Sequence, residues 1–146
     1  MNVKDVMTKN PACCTPDSKL SEVARMMVSR DCGQIPVVEN QSTKKPVGVV
    51  TDRDIIVRTV AAGKNPLNMT AREVMSSPVV TVRPDTRIEE CCHTLESKQV
   101  RRVPVLDRSQ RLVGIVSLGD LATETRDDRV SGEVLERVSG PAWPDR

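Results

Sequence analysis

The sequence has almost no aromatic residues: among 146 residues, Trp143 is the only one, and Phe and Tyr are absent. Proteins that bind single-stranded nucleic acid stack the bases on aromatic side chains, so this class of function is disfavoured. The net charge of +2 is too small to indicate DNA or an anionic membrane as a partner. The core must therefore consist of Val, Ile, Leu, Met and Cys, and nucleic acid is not an expected ligand.

Long apolar runs and known catalytic motifs are also missing. No run approaches the roughly 18 apolar residues of a membrane-spanning helix, and the first residues, Met1 to Asp5, contain no hydrophobic signal core. The sequence has no G-x-x-x-x-G-K-[ST] loop, no G-x-S-x-G elbow and no H-E-x-x-H motif. We therefore expect a cytoplasmic protein that does not contact the membrane and is not an enzyme.

The five cysteines allow an alternative: with His93 they could form a thiol-rich zinc site, or among themselves a redox disulfide. Two observations argue against it. Adjacent cysteines lack the C-x-x-C spacing of strong zinc motifs, and Cys91 and Cys92 fall on an apolar helical stripe. Packing as small buried hydrophobic residues is the favoured interpretation, with His93 on the solvated face and no metal expected.

What the sequence does contain is an internal repeat that includes polar residues. The recurring segments are Val6-Met7 with Val74-Met75, Pro16-Asp17 with Pro84-Asp85, and Pro36-Val37 with Pro104-Val105, all at a spacing of 68, and Val47–Asp54 with Val113–Asp120 at a spacing of 66. The two-residue difference falls in a polar loop. Because so short a unit rarely buries its apolar face alone, the two copies should pack as one module.

Each copy is predicted to fold as strand, helix, strand, strand, helix. The apolar helical stripes are Leu20, Val23, Ala24 and Met27 in copy one and Ile88, Cys91, Cys92 and Leu95 in copy two. The predicted strands are residues 12–15, 35–39 and 47–50 in copy one and residues 79–82, 103–107 and 112–116 in copy two. The predicted domains are residues 1–66, residues 67–125 and a C-terminal tail, residues 126–146, for which a docked helix and a loose tail both remain open.

Local signals predict where these helices begin and end. Thr70 with Glu73 and Thr86 with Glu89 have the spacing of capping boxes. Helices are expected to begin at Thr51 and at Ser117. Gly33 is expected to end the first helix in the left-handed conformation.

The pattern Gly-h-h-Thr/Ser-x-x-Asp, in which h is a hydrophobic residue, ends each copy and is called the closing motif below. With Gly33-Gln34-Ile35-Pro36-Val37 and Arg101-Arg102-Val103-Pro104-Val105 upstream, it resembles the cystathionine-β-synthase (CBS) domain. The tandem copies resemble the CBS pair, or Bateman module, over about residues 1–125. The resemblance implies an α+β fold of two pseudo-twofold βαββα repeats packed sheet to sheet, two clefts that hold adenosine nucleotides in many members, and a homodimer.

The resemblance also implies which residues bind the nucleotide. Ribose and phosphate would be faced by the closing motifs and by the residues before each Pro-Val strand, which are Thr51, Asp54, Ser117 and Asp120, and Gly33, Gln34, Arg101 and Arg102. Since copy one has no charge where copy two has the arginines, the clefts should differ in affinity for anions. A cleft that combines Thr51 and Asp54 with the arginines is the better pairing, and aliphatic side chains such as Ile35 or Val103 would hold adenine.

These residue types can bind a nucleotide, although helix capping is a simpler explanation of their spacing. A carboxylate accepts from both ribose hydroxyls, an arginine offers forked donors to phosphate, and a helix start directs N–H groups at an anion. The same Thr/Ser-x-x-Asp spacing is also a capping box that stabilises a helix by ~1 kcal/mol without any ligand.

The sequence therefore predicts a regulatory module that binds AMP, ADP or ATP and signals to an unidentified partner protein. A ligand-free dimerisation module and a thiol- or zinc-responsive protein are the alternatives.

Overall fold

A computed structural model describes residues 1–77 and 79–124 of the chain. The strands are β1 Thr8–Lys9, β2 Gln34–Val38, β3 Pro46–Thr51, β4 Arg102–Leu106 and β5 Leu112–Ser117. The α-helices are α1 Leu20–Arg30, α2 Asp52–Ile55, α3 Ala71–Val74, α4 Ile88–Lys98 and α5 Leu118–Glu124. A π-helix over Ile56–Val60 continues α2, and 3-10 helices cover Val3–Asp5 and Pro66–Asn68. Four of the predicted strands thus appear within one residue of their expected bounds.

The chain forms two compact units, and each combines most of one repeat with the opening segment of the other. The N-repeat unit comprises Ala12–Val79 and Gln110–Leu112, and the C-repeat unit comprises Met1–Pro11, Val80–Ser109 and the described residues from Val113. Helices and strands occur together in each unit, which confirms the α+β class. The tail predicted at residues 126–146 lies outside the described residues. No helix of the described part is both long enough and apolar enough to span a membrane.

In the N-repeat unit, β2 and β3 form an antiparallel pair in which Ile35 lies opposite Val50. Two isolated bridges extend the pair: Cys14 pairs with Val37 in parallel, and Ser76 pairs with Val49 in antiparallel orientation. The strand predicted at residues 12–15 is therefore reduced to the bridge at Cys14.

In the C-repeat unit, three strands pair in the order β1-β5-β4. Thr8 and Lys9 lie opposite Ile115 and Gly114. The sequence did not predict β1, because two residues show no alternation and the partner strand lies far along the chain. The strand predicted at residues 79–82 is reduced to a parallel bridge between Val82 and Val105.

The long helices α1 and α4 bury the predicted apolar stripes. In α4 all four stripe residues are buried, as predicted: Ile88, Cys91, Cys92 and Leu95. In α1 the buried residues are Leu20, Val23 and Met27, whereas Ala24 is exposed. The inclusion of Ala24 was wrong because the face that contacts the core is narrower in α1 than its periodicity suggested.

Two end signals of these helices were also misassigned. The residue in the left-handed conformation after α1 is Asp31, with φ 50, and Gln99, with φ 51, takes the same role after α4. Gly33 lies two residues beyond that point and its φ is not positive. Thr86 does not cap α4, since its hydroxyl accepts from the Arg83 amide at 2.9 Å. The capping box at Thr70 and Glu73 is present as predicted.

A methionine packs on a strand glycine in both repeats. A Cβ added to Gly48 would lie 2.9 Å from Met75 Sδ, and one added to Gly114 would lie 2.5 Å from Met7 Sδ. Both distances are shorter than a normal contact, so only glycine lets the methionine approach the strand this closely. This packing explains why the Val-Met dipeptide and the glycine recur together in the sequence.

Candidate ligand site at the closing motifs

In the N-repeat unit, the closing motif turns β3 into α2 through a capping box. Thr51 is the last residue of β3 and the N-cap of α2. Its hydroxyl accepts from the Asp54 amide at 3.0 Å, and Asp54 Oδ2 accepts from the Thr51 amide at 3.0 Å. The predicted helix start at Thr51 is therefore confirmed, and two backbone donors are satisfied by the motif itself.

The second oxygen of Asp54 is also occupied by the protein. Asp54 Oδ1 accepts from Ser76 Oγ at 3.1 Å and lies 3.9 Å from Arg58 Nε. The Asp54 side chain is only 15% exposed. Because both carboxylate oxygens already have donors, less acceptor capacity remains for the hydroxyls of a ribose than on a carboxylate with one bonded oxygen.

In the C-repeat unit, the same capping box forms, but the donors around its carboxylate differ. Ser117 Oγ accepts from the Asp120 amide at 3.0 Å, and Asp120 Oδ2 accepts from the Ser117 amide at 2.9 Å. Within residues 1–77 and 79–124, no donor reaches Asp120 Oδ1. As far as the described residues show, this carboxylate keeps one oxygen for an outside donor.

The residue before each Pro-Val strand contacts the closing motif of its own copy. The Asp52 amide donates to the Gly33 carbonyl at 3.0 Å, and the Leu118 amide donates to the Arg101 carbonyl at 2.8 Å. Arg101 is exposed and Arg102, at the start of β4, is half-buried. The pairing of Thr51 and Asp54 with the two arginines remains a prediction.

The two copies differ most at the second position of the closing motif. In copy one this residue is Asp52, whose Oδ2 would lie 3.0 Å from a Cβ added to Gly33. In copy two it is Leu118, which is 8% exposed and belongs to the core. Asp52 was not predicted as a site residue, although Gly33 and Asp52 in copy one correspond to Arg101 and Leu118 in copy two.

Gln34 follows Gly33 in the chain and lies opposite Thr51 on the strand pair. Its Oε1 atom is buried, and it has no hydrogen-bond partner among the described residues. A buried acceptor without a donor costs free energy, so this atom is a candidate contact for a ligand donor.

The two aliphatic residues suggested for adenine are core residues. Ile35 is 1% exposed and Val103 is 0% exposed, and each packs in the apolar cluster of its own unit. The structure therefore gives both side chains a packing role, and a contact of either with adenine remains a prediction.

Four of the five cysteines are buried: Cys13, Cys14, Cys91 and Cys92. Cys14 is 1% exposed and Cys91 is 0% exposed, and burial, with a smaller contribution from the adjacent cysteine, raises the pKa of each thiol to about 12. The interpretation of Cys91 and Cys92 as buried packing residues is confirmed. In the part of the chain that the structure describes, no three His, Cys, Asp or Glu side chains are grouped so that they could hold a metal ion.

A cavity of about 450 Å³ in the C-repeat unit does not include the closing motif. Its lining residues are Lys4, Arg83, Pro84, Asp85, Asp107 and Arg108. At the matching place of the N-repeat unit, Arg72 forms an ion pair of 2.6 Å with Asp17. Charged residues of both signs thus face this cavity, and the predicted ribose and phosphate contacts lie elsewhere.

Comparison with known proteins gives the family. The family model of the CBS domain matches residues 3–60 and 71–127. The CBS domain-containing protein YhcV of Bacillus subtilis is 38% identical over 138 residues, which cover 94% of this chain and 95% of YhcV.

Two solved structures extend the comparison. Hypoxic Response Protein I, crystallised with two coordinated zinc ions, is 34% identical with a TM-score of 0.75, over 84% of this chain and 97% of that one. The CBS domain pair of protein MJ0100, in complex with 5′-methylthioadenosine and S-adenosyl-L-methionine, is 26% identical with a TM-score of 0.75, over 86% of this chain and 96% of that one. The resemblance is thereby confirmed: the chain belongs to the CBS domain family and carries a tandem CBS pair.

Proposed function

We propose that this chain is a regulatory module, and not an enzyme, that binds AMP, ADP or ATP at its closing motifs and signals to a partner protein. The adenosine class of ligand is supported by the CBS domain pair of MJ0100, which holds two adenosine compounds. Cytoplasmic localisation is part of the same proposal.

The observation that carries the proposal is the state of Asp120. Its Oδ2 caps α5 through the Ser117 amide, and no donor among the described residues reaches its Oδ1. A carboxylate oxygen held in a fixed place is a strong acceptor for a ribose hydroxyl. The Arg101 carbonyl accepts from the amide of Leu118, which belongs to the same motif. The Arg101 side chain therefore starts beside the place where we expect the phosphate, and its guanidinium is a suitable donor to phosphate oxygens.

The second repeat is therefore the preferred nucleotide site. Asp54 is bonded to Ser76 and lies near Arg58, whereas the described residues supply no such partner to Asp120. Copy one also lacks an arginine at the position of Arg101, which is Gly33. We therefore expect a phosphorylated ligand to bind better at Ser117 and Asp120 than at Thr51 and Asp54, in place of the pairing with Thr51 and Asp54 that the resemblance favoured.

Signalling follows if the ligand changes the population of two conformations. A nucleotide that bonds Asp120 favours the conformation in which the start of α5 is formed, and a partner that recognises this conformation senses the nucleotide. Self-association as a homodimer is supported by exposed apolar side chains of the N-repeat unit: Ile56 is 59% exposed and Val60 is 64% exposed.

The test is a thermal-shift and calorimetric titration with AMP, ADP and ATP. At least one nucleotide should raise the melting temperature of the wild type, because ligand binding stabilises the folded state by mass action. Asp120→Asn keeps an oxygen for the Ser117 amide but loses the charge, and it should weaken binding about tenfold, a loss of about 1.4 kcal/mol. The matched variant Asp54→Asn should weaken it about twofold or less. The proposal fails if no nucleotide binds, and the preference for copy two fails if the variants lose equally.

A ligand-free dimerisation module is the second candidate, and one observation favours it. Both closing motifs form reciprocal capping boxes, so their residues have a folding role that needs no ligand. A stable dimer by light scattering, together with flat titrations for all nucleotides, would support this candidate.

A zinc- or thiol-responsive protein is the third candidate, because Hypoxic Response Protein I contains zinc. Metal analysis of the purified protein and migration on a non-reducing gel test it. Bound zinc, or an oxidised band that forms reversibly, would support it.

A further inference from the structure

We propose that the cavity of the C-repeat unit is a second ligand site, which binds small anions with two or more negative charges, such as diphosphates or polycarboxylates. This site is separate from the closing motif. The cavity lies beside Asp107, beyond the end of β4, whereas the closing motif bonds Arg101, before the start of the same strand. The five residues of β4 lie between Arg101 and Asp107, which are therefore about 20 Å apart.

Backbone hydrogen bonds hold the walls of the cavity together. The Lys4 amide donates to the Pro84 carbonyl at 2.9 Å, which joins the N-terminal segment to the loop before α4. The Leu106 amide donates to the Val82 carbonyl at 2.9 Å, which joins the end of β4 to the residue before that loop. All lining residues belong to these three segments. The volume of about 450 Å³ is in the usual range of small-molecule sites.

Cations outnumber carboxylates among the lining residues, which include Lys4, Arg83 and Arg108 on one side of this balance and Asp85 and Asp107 on the other. Two of these residues are bonded within their own unit. Arg83 Nη1 donates to the Asp107 carbonyl at 3.4 Å, and Asp107 Oδ1 accepts from the Ser109 amide at 2.8 Å. These bonds give Arg83 and Asp107 a role in shaping the cavity.

The other charged groups of the cavity have no such role. Within residues 1–77 and 79–124, the side chains of Lys4 and Arg108 form no hydrogen bond and no ion pair. The Asp85 carboxylate lines the same cavity and pairs with neither of them. Lys4 and Arg108 thus keep their donors for a ligand.

The corresponding positions of copy one have the opposite balance of charge. They carry one cation and two carboxylates, which are Arg72, Asp17 and Glu39, and they have Thr15 and Asn40 in place of the two arginines. Arg72 and Asp17 neutralise each other in an ion pair of 2.6 Å. Because copy one forms the same long helix and strand pair without the extra arginines, the fold does not require the positive charge of copy two. This charge therefore points to a ligand.

Compact anions with several charges suit this arrangement. An arginine offers forked donors to phosphate or carboxylate oxygens, and a lysine adds a point charge. Lys4 and Arg108 come from different segments, so a ligand with two anionic groups can contact both. A ligand with one anionic group gains a single contact and still meets the repulsion of Asp85.

The test is a nitrogen-15 NMR titration of the full chain, at constant ionic strength, with pyrophosphate, citrate and acetate. The amides of Lys4 and Ser109 report on the cavity, and the amide of Gly119 reports on the closing motif. Pyrophosphate, citrate or both should shift the two cavity signals, and acetate should bind about tenfold more weakly. A response to pyrophosphate alone assigns the site to phosphorylated compounds, and a response to citrate alone assigns it to polycarboxylates.

Two variants test the cations. Lys4→Gln and Arg108→Gln should each weaken the binding about fivefold, which is the effect of one unit charge at contact distance in water. Lys98→Gln is the matched control and should leave the binding unchanged, because Lys98 is an exposed residue of α4 that does not line the cavity.

Several results would overturn the inference. One is that no anion shifts the two cavity signals, and another is that Gly119 alone responds, which would place the anion at the closing motif. Acetate binding as tight as that of the multivalent anions, or an equal loss for Lys98→Gln and Arg108→Gln, would show attraction to the surface charge in general. The proposed function is tested separately, by nucleotide titration of the Asp120 variant, and does not depend on these results.

Discussion

The two repeats share their backbone frame and differ in the side chains around it. Thr51 with Asp54 and Ser117 with Asp120 form the same capping box with nearly equal distances. Around the first, Ser76 and Arg58 occupy the carboxylate; around the second, no described residue reaches Asp120 Oδ1. The two motifs thus share the capping geometry that the fold requires and differ in the side chains at the neighbouring positions.

This comparison separates the folding role of the motif from its ligand role. A capping box gives Oδ2 of each aspartate a backbone donor in both repeats, so it explains why the motif recurs. Between the two aspartates themselves the difference lies in the second oxygen, whose partners in copy one are Ser76, from a distant segment, and Arg58, four residues on. The state of that oxygen, rather than the presence of the motif, is the better indicator of a ligand site.

The largest effect on stability is expected at two equivalent core positions, Leu95 in α4 and Met27 in α1. Leu95 is 0% exposed and Met27 is 9% exposed. Leu95→Ala should lower the free energy of unfolding by about 2–5 kcal/mol, and Met27→Ala should fall at or below the lower end of that range. Urea denaturation of both variants measures the difference. Equal losses would show that the two cores are packed alike.

A smaller effect is expected at the strand glycines. Gly114→Ala forces a Cβ towards Met7 Sδ, and Gly48→Ala forces one towards Met75 Sδ, so each should cost about 1–3 kcal/mol, with the larger loss at Gly114. Adding Met7→Ala to Gly114→Ala should recover part of the loss. Gly119→Ala is the control, since its nearest atom would be Ser117 Oγ at 3.7 Å. An unchanged urea midpoint for Gly114→Ala would contradict the packing argument.

The smallest effect is expected for Ser76→Ala, which makes the first motif resemble the second. Removal of the hydroxyl costs about 0.5–1.5 kcal/mol of stability and frees Asp54 Oδ1. Calorimetry should then show a few-fold gain in adenosine affinity at the first motif. Thr8, at the equivalent position of the other repeat, is exposed, so Thr8→Ala is the control and should change neither quantity. A loss of stability without any gain in affinity would indicate that Asp54 is purely structural.

Much of the fold could be predicted from the sequence. The strands β2 to β5, the starts of α2 and α5 and the stripe of α4 follow from apolar periodicity and cap spacing, which act between residues close in the chain. Gly33 and Thr86 show the limit of such signals. Asp31 adopts the left-handed conformation although it is not glycine, and Thr86 bonds the Arg83 amide instead of capping α4.

The candidate site was predicted less completely. The motif correctly predicted the helix starts formed by Thr51 with Asp54 and by Ser117 with Asp120. It did not reveal which of the two carboxylates accepts hydrogen bonds on both oxygens. The resemblance suggested Ile35 or Val103 as contacts for adenine, whereas both are enclosed in the cores of their own units. Burial depends on which segments cover a strand, and that information lies in distant parts of the chain.

The sequence by itself determined the repeat, the α+β class and the reciprocal caps, because each arises from interactions within a few residues. The tertiary structure alone decided that residues 1–11 join the C-repeat unit, that Ser76 reaches Asp54 and that the carboxylate of Asp52 faces Gly33. These contacts join segments separated along the chain, and their geometry follows from how strands and helices pack, which local propensity does not specify.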